Sequence, residues 1–279
     1  MTDRSKGRLV IVGGGEDRTG EKVILRRFAD LAGGSEARIV VIGTATSVPE
    51  EVGPVYLDAF RSIGVQEVQF LPLATRQEAN DPTVVACVQQ ATGVYFTGGD
   101  QLRIATAIGG SHTDTALHAA FANGVVVGGT SAGAAMMSST MILGGYDTVP
   151  SATTVRTGAG LSFVSGIVID MHFAERGRMS RLLTVVGLFP HELGLGIDED
   201  TAAIVDGNTF EVIGAGAVTV VDAGEVTSLH APPEGVEGPM AMTGVLLHVL
   251  PAGYSFDLSS RRPVIVETPD DVKARGTGR

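Results

Sequence analysis

Cysteine is almost absent from this chain. Cys87 is the only one in 279 residues, so no intramolecular disulfide and no thiolate metal cluster can form. It lies in Val84-Val85-Ala86-Cys87-Val88, which reads as a buried helix face rather than a reactive site. Long apolar runs are missing too: none reaches the ~18 residues that a membrane helix needs. The polar start Met1-Thr2-Asp3-Arg4-Ser5-Lys6 leads straight into a strand and shows no secretory pattern. A cytoplasmic protein without a membrane partner is expected. Basic charge is in deficit, with 20 Lys and Arg against 31 Asp and Glu and a formal net charge of −11. That balance disfavours general nucleic-acid binding and suits a cationic substrate. No repeat, low-complexity block or linker divides the chain. A single domain over residues 1–279 is expected, with flexible ends at 1–7 and from about Pro269.

What is present begins with an alternation. Aliphatic runs at Arg8–Val12, Arg38–Ile42, Val68–Leu71, Val94–Phe96 and Val125–Val127 are separated by helical patterns at Glu21–Leu31, Val55–Ile63, Val84–Ala91 and Leu102–Ala107. Strands without polar alternation, spaced by helices, predict an α/β fold with a mostly parallel sheet covered on both faces. Beyond Leu195 the chain reads as β-rich. Ala202–Val205 and Phe210–Ile213 flank Asp206-Gly207-Asn208 as a hairpin would.

Gly129-Thr130-Ser131-Ala132-Gly133 fits the G-x-S-x-G nucleophile elbow. Ser131 at a sharp strand-to-helix turn needs small neighbours, so that strand and helix can approach closely. A helix over about Ala132–Met141 would aim its amides at an oxyanion. A serine nucleophile also needs a base. Among six histidines, His112 and His118 fall on a surface helix, His191 in a loop, and His230 and His248 in the β-rich end. His172 follows a strand, two residues after Asp170, and is the best candidate. A third group should orient its imidazole. Asp198, Glu199 and Asp200 share one loop, and spacing alone does not rank them. Arg176, Arg178 and Arg181 stand at a helix start, an unfavourable place for cations without anionic partners. They either pair with Asp170, Glu175 and the acidic loop or bind a substrate carboxylate. Gly98-Gly99-Asp100-Gln101 offers either a second oxyanion amide or an ordinary tight turn. Gly13-Gly14-Gly15-Glu16-Asp17 follows the first strand as a dinucleotide loop would. It lacks the G-x-G-x-x-G spacing, and its acids would repel a pyrophosphate.

Taken in order, Gly13-Gly14-Gly15-Glu16, Phe96-Thr97-Gly98-Gly99-Asp100-Gln101, Gly129–Ala134, Asp170-Met171-His172-Phe173, R-x-R-x-x-R and Gly196-Ile197-Asp198-Glu199 closely resemble the cyanophycinase family of serine exopeptidases, related to dipeptidase E. The resemblance covers about residues 8–265. It implies a flavodoxin-like or glutamine-amidotransferase-like α/β fold, a homodimer and no cofactor or metal. It further implies Ser131 as nucleophile, His172 as base and Glu199 as orienting acid, with oxyanion amides from Gly99 and Ala132. Gln101, Asp170, Arg176, Arg178 and Arg181 would hold the substrate. The substrate class is cyanophycin, a poly-aspartate carrying arginine on each β-carboxyl, released as β-Asp-Arg dipeptides. Met171 departs from the family pattern, which has glutamine there, so an apolar thioether replaces an amide at a substrate-binding position. A related aspartyl isopeptide is therefore the companion expectation. The rival readings are a dipeptidase E-like aspartyl dipeptidase, which would not need the arginine-rich helix start, and a non-catalytic small-molecule binding protein, which would not need Ser131, His172 and Glu199 together.

Overall fold

A computed structural model of the chain describes residues 6–145, 149–151, 153, 155–233 and 238–264. The tail expected to fray from Pro269 and residues 1–5 lie outside the described residues, while the Gly7 amide is fixed by donating to Phe121 O at 2.7 Å. Strand β1 (Leu9–Val12) is followed by α1 (Val23–Leu31), β2 (Arg38–Ile42), α2 (Pro49–Ser62), β3 (Glu67–Leu71), α3 (Pro82–Gln90) and β4 (Gly93–Phe96). Then come α4 (Gln101–Ala107), α5 (His112–Ala122) and β5 (Val126–Thr130). Helix starts follow local chemistry. The side chains of Asp81, Asp100 and Ser111 each accept an amide of the first turn of α3, α4 and α5. Pro49 and Pro82 occupy the opening positions of α2 and α3, where a missing N–H costs nothing.

The chain continues through α6 (Ala132–Ala135), β6 (Thr140–Gly145), β7 (Val155–Ala159), β8 (Ile167–Met171), α7 (Met179–Leu188) and β9 (Leu193–Ile197). The remaining described elements are strands: β10 (Thr201–Asp206), β11 (Thr209–Gly214), β12 (Ala217–Asp222), β13 (Ser228–His230), β14 (Ala241–Thr243), β15 (Leu246–Pro251), β16 (Ser255–Asp257) and β17 (Arg262–Val264). Helix α6 is a single turn, much shorter than the run to Met141 that the sequence predicts. The carbonyls of Met136 and Met137 accept from the amides of Leu161 and Val164 (2.6 and 3.0 Å). The Ser138 hydroxyl donates to Ala135 O at 3.0 Å and Thr140 O at 2.7 Å. Tertiary hydrogen bonds thus take the groups that a longer helix would use, and the chain turns into β6.

The result is a mixed α/β fold with a large central sheet. Its nine strands lie in the order β17-β16-β11-β10-β1-β5-β4-β2-β3. Strands β1, β5, β4, β2 and β3 run parallel, and β10 joins β1 antiparallel. Inward of the edge strand β3, both faces of the parallel part are buried, and the period of two along each strand divides its residues between them. Leu9, Ile11, Val40, Ile42, Val94 and Phe96 enter the layer with Val88, Leu117 and Phe121. Val10, Val12, Ile39, Val41 and Tyr95 enter the layer with Leu25, Phe28 and Phe60. A four-stranded sheet, β15-β12-β9-β8, lies alongside, with β8 and β9 parallel. Among the described residues no helix is long and apolar enough to cross a membrane.

This arrangement positions the site. Val12 of β1 pairs in register with Thr130 of β5, and Phe96 of β4 with Gly129. The loops after β1, β4 and β5 therefore leave one carboxyl edge side by side, where ligands of open parallel sheets bind. In the second sheet Met171 of β8 pairs with Ile197 of β9, so His172 and Glu199 leave their strands together. The scaffold under this edge rests on Phe28, which is fully buried with its ring 5.2 Å from Tyr95 and 5.9 Å from Phe60. Phe28→Ala is expected to lower unfolding free energy by about 3–5 kcal/mol, read from the urea midpoint at unchanged m-value. A loss below about 1 kcal/mol would show that this layer does not carry the sheet.

Candidate active site

Ser131 has φ 52° and ψ −111°, a backbone region that non-glycine residues avoid at a cost of about 1–3 kcal/mol. Its surroundings hold it there. The Ser131 amide donates to Val12 O at 3.0 Å, and its carbonyl accepts from the amides of Ala134 and Ala135, both at 3.0 Å. The glycines of the motif are required by space. A Cβ on Gly129 would come 2.4 Å from the Gly133 carbonyl oxygen, and one on Gly133 would come 2.5 Å from Phe96 O. Strand β5, helix α6 and strand β4 can therefore meet this closely only without side chains at these two positions. A Cβ on Gly98 would lie 3.5 Å from Ser131 Cβ, so the loop after β4 runs beside the serine. Among the described residues, neither the Gly99 nor the Ala132 amide donates to a protein acceptor.

His172 sits just past β8 at φ 49°, with its amide donating to Gly13 O at 2.7 Å. Its Nε2 lies 2.8 Å from Ser131 Oγ and its Nδ1 2.6 Å from Glu199 Oε1. A carboxylate facing Nδ1 places the proton there, leaving Nε2 to accept from the serine hydroxyl. The acidic loop, which spacing could not rank, is sorted by geometry. Asp198 accepts from the amides of Ala174 (3.0 Å) and Ala217 (3.1 Å). Asp200 accepts from the Asp17 amide at 2.9 Å. Of the three, Glu199 is the one that faces the imidazole, and Glu175 steadies it by accepting the Glu199 amide at 3.2 Å.

Asp170 is wholly buried and meets two of the three arginines. Arg181 binds it in the bidentate way, its Nε donating to Oδ2 at 2.8 Å and its Nη2 to Oδ1. Arg178 reaches Oδ1 at 3.4 Å and also donates to the Met171 carbonyl. Burial first, and then the neighbouring Arg181 charge, lower the Arg178 guanidinium to about 10, so it remains a cation near neutrality. Arg176 is exposed and makes no protein contact of this kind among the described residues. Met171 is buried, with its sulfur 3.6 Å from Arg178 Nη1. Gln101 Nε2 donates to Ile142 O at 2.6 Å, tying α4 to β6.

The peptidase family S51 model matches residues 9–213 of the chain. Its relatives include the cyanophycinase of Synechococcus elongatus, 35% identical over 92% of this chain and 81% of that one. The cyanophycinase of a Nostoc species is 35% identical over 92% and 87%, and that of Geminocystis herdmanii 34% identical over 95% and 98%. Among solved structures, a peptidase from an acI-B1 Actinobacterium shares the fold at TM-score 0.70 and 21% identity, over 91% of this chain and 98% of that one. The chain belongs to peptidase family S51. It is a hydrolase of the serine type that this family contains.

In this S51 chain the segment that most resembled a nucleotide loop has another place. Gly13–Glu16 threads between the members of the Ser131, His172 and Glu199 relay. Besides the Gly13 carbonyl on His172, Gly14 O accepts from the Asp200 amide at 2.8 Å. A Cβ on Gly14, whose φ is +108°, would come 2.2 Å from His172 Cε1, and one on Gly15 would come 2.9 Å from a Glu199 carboxylate oxygen. Sequence reasoning singled out this loop without finding its role, because strand order carries that information: β1 lies directly beside β5. Gly14→Ala is expected to displace the imidazole and lower kcat at least about a hundredfold, while far-UV circular dichroism stays that of the wild type. Near-normal turnover in a folded Gly14→Ala protein would contradict this packing.

Proposed function

We propose that this chain is an exopeptidase hydrolysing cyanophycin, or a closely related aspartyl isopeptide polymer, through an acyl-enzyme on Ser131. The carrying observation is the continuous relay from Glu199 through His172 to Ser131, at 2.6 and 2.8 Å. His172 would take the hydroxyl proton as Ser131 Oγ attacks the scissile carbonyl carbon. The amides of Gly99 and Ala132, which have no protein acceptor among the described residues, would receive the oxyanion that forms. As the C–N bond breaks, His172 returns the proton to the leaving nitrogen. Water, deprotonated by the same imidazole, then opens the ester and restores Ser131. Glu199 fixes the tautomer and stabilises the imidazolium.

Substrate choice rests on the cationic edge beside the serine and on relatives that carry the name cyanophycinase. Arg176, exposed and without an ion pair among the described residues, would offer its guanidinium to a substrate carboxylate. Asp170, with Arg178 and Arg181, forms a buried charge cluster behind it. Gln101 and Met171 would act on substrate indirectly, Gln101 by tying α4 to β6 and Met171 through its contact on Arg178. The five parallel strands, covered on both faces inward of the edge strand β3, support a flavodoxin-like or glutamine-amidotransferase-like arrangement in a single domain. Exposed Leu247 and Val249 on the outer strand β15 support a homodimer.

Incubation with insoluble cyanophycin, followed by analysis of the soluble products, tests this reading. The wild type is expected to release β-Asp-Arg and Ser131→Ala none. Activity confined to Asp-X dipeptides would replace it with an aspartyl dipeptidase. No hydrolysis of either substrate would favour a binding protein.

A further inference from the structure

A buried acid outside the relay and its arginines lies beside the elbow. Glu16, at the end of the glycine loop, is 4% exposed. Its Oε2 accepts from the Thr130 hydroxyl and its Oε1 from the Tyr56 hydroxyl. Thr130 and Tyr56 are themselves buried. Burial, and then the Glu16 charge, push the Tyr56 phenol well above its ordinary value, so it remains protonated and donates.

A carboxylate in this layer is an expensive way to fill space. Taking it out of water is costly before its hydrogen bonds are counted, and apolar replacements of buried polar groups are often neutral or stabilising. Its contacts point to another use. Thr130 immediately precedes Ser131, whose strained backbone persists only if its neighbours fix it from several directions. The Val12 carbonyl holds the Ser131 amide from one side. The Thr130 side chain, anchored to Glu16, holds the residue before it. Glu16 also closes the loop whose Gly13 carbonyl receives the His172 amide. One short segment therefore touches both partners of the 2.8 Å Ser131–His172 contact.

We propose that Glu16 is a positioning residue for the nucleophile: its carboxylate clamps the Thr130 hydroxyl and so keeps Ser131 Oγ in line with His172 Nε2. This rests on Ser131 being the nucleophile and deepens that reading. Losing the clamp lets the elbow relax, which slows the attack by Ser131 without altering how substrate is held.

The test compares Glu16→Gln, Thr130→Val and their double variant, with Thr130→Ser as the conservative control. Three quantities are read: kcat and KM on a soluble cyanophycin oligomer, the rate of Ser131 phosphonylation by a fluorophosphonate probe, and Tm. Glu16→Gln and Thr130→Val are each expected to lower kcat about tenfold to a hundredfold, with KM within about twofold. Phosphonylation should slow in parallel. The double variant should be no worse than the poorer single one, because both remove the same contact. Thr130→Ser, which keeps the hydroxyl, should restore most of the turnover. Wild-type kcat and phosphonylation rate in Glu16→Gln, even with a lowered Tm, would overturn the proposal, as would a loss confined to KM. If Glu16→Gln does not fold, Thr130→Val decides by the same criteria. A wild-type protein that is not phosphonylated at Ser131 overturns the nucleophile reading and this proposal with it. Equal labelling of wild type and Glu16→Gln overturns this proposal alone.

Discussion

The 2.8 Å contact between Ser131 Oγ and His172 Nε2 joins loops that leave two different sheets. Ser131 follows β5 in the nine-stranded sheet, and His172 follows β8 in the four-stranded one. Neither backbone is at rest, since both residues have positive φ. Holding two strained residues within hydrogen-bond reach across a sheet boundary is the constraint that organises the surrounding structure. The Gly129–Gly133 contact lets strand meet helix, the Val12 and Gly13 carbonyls take the Ser131 and His172 amides, and the missing side chain at Gly14 leaves room for the imidazole. The chemistry needs this accuracy, because a nucleophile that wanders by about an ångström loses orders of magnitude in rate.

Charge is concentrated at the same edge. Asp170 is fully buried against Arg181 and Arg178, and Glu16 is buried against two hydroxyls. Such groups add little net stability compared with apolar side chains of the same size, yet removing one partner leaves a costly unpaired charge. Their placement beside the relay is better understood as fixing the directions of loops that the apolar core alone would hold loosely. The core itself supplies the bulk of folding free energy, through the two apolar layers on either face of the parallel strands.

How much of this could be read from residues alone depended on range. Val10–Val12, Arg38–Ile42 and Val94–Phe96 announced buried parallel strands because every position is apolar or nearly so, and that signal is local. The helix after Ser131 stops well short of the run its sequence predicts because Met136 and Met137 give their carbonyls to the amides of Leu161 and Val164, partners no local pattern contains. Helix α2 begins six residues earlier than its apolar spacing suggested, where Pro49 opens it. At the site, the elbow was legible because its steric demands fall within five residues. Asp198, Glu199 and Asp200 were not separable, since their roles depend on which side chain crosses to His172. The resemblance pointed to Glu199, and geometry brings that residue to the imidazole. Glu16 stayed hidden for a related reason: its partners, Tyr56 and Thr130, lie 40 and 114 residues away.

The central claim is that Ser131 is made nucleophilic by the imidazole it touches. Intact-mass analysis after exposure to a fluorophosphonate, followed by peptide mapping, addresses it without any assumption about the natural substrate. A single adduct on Ser131 in the wild type, and at least about a hundredfold slower labelling in His172→Ala, is the result expected. Labelling elsewhere in the chain, or a rate at Ser131 that does not depend on His172, would contradict the account.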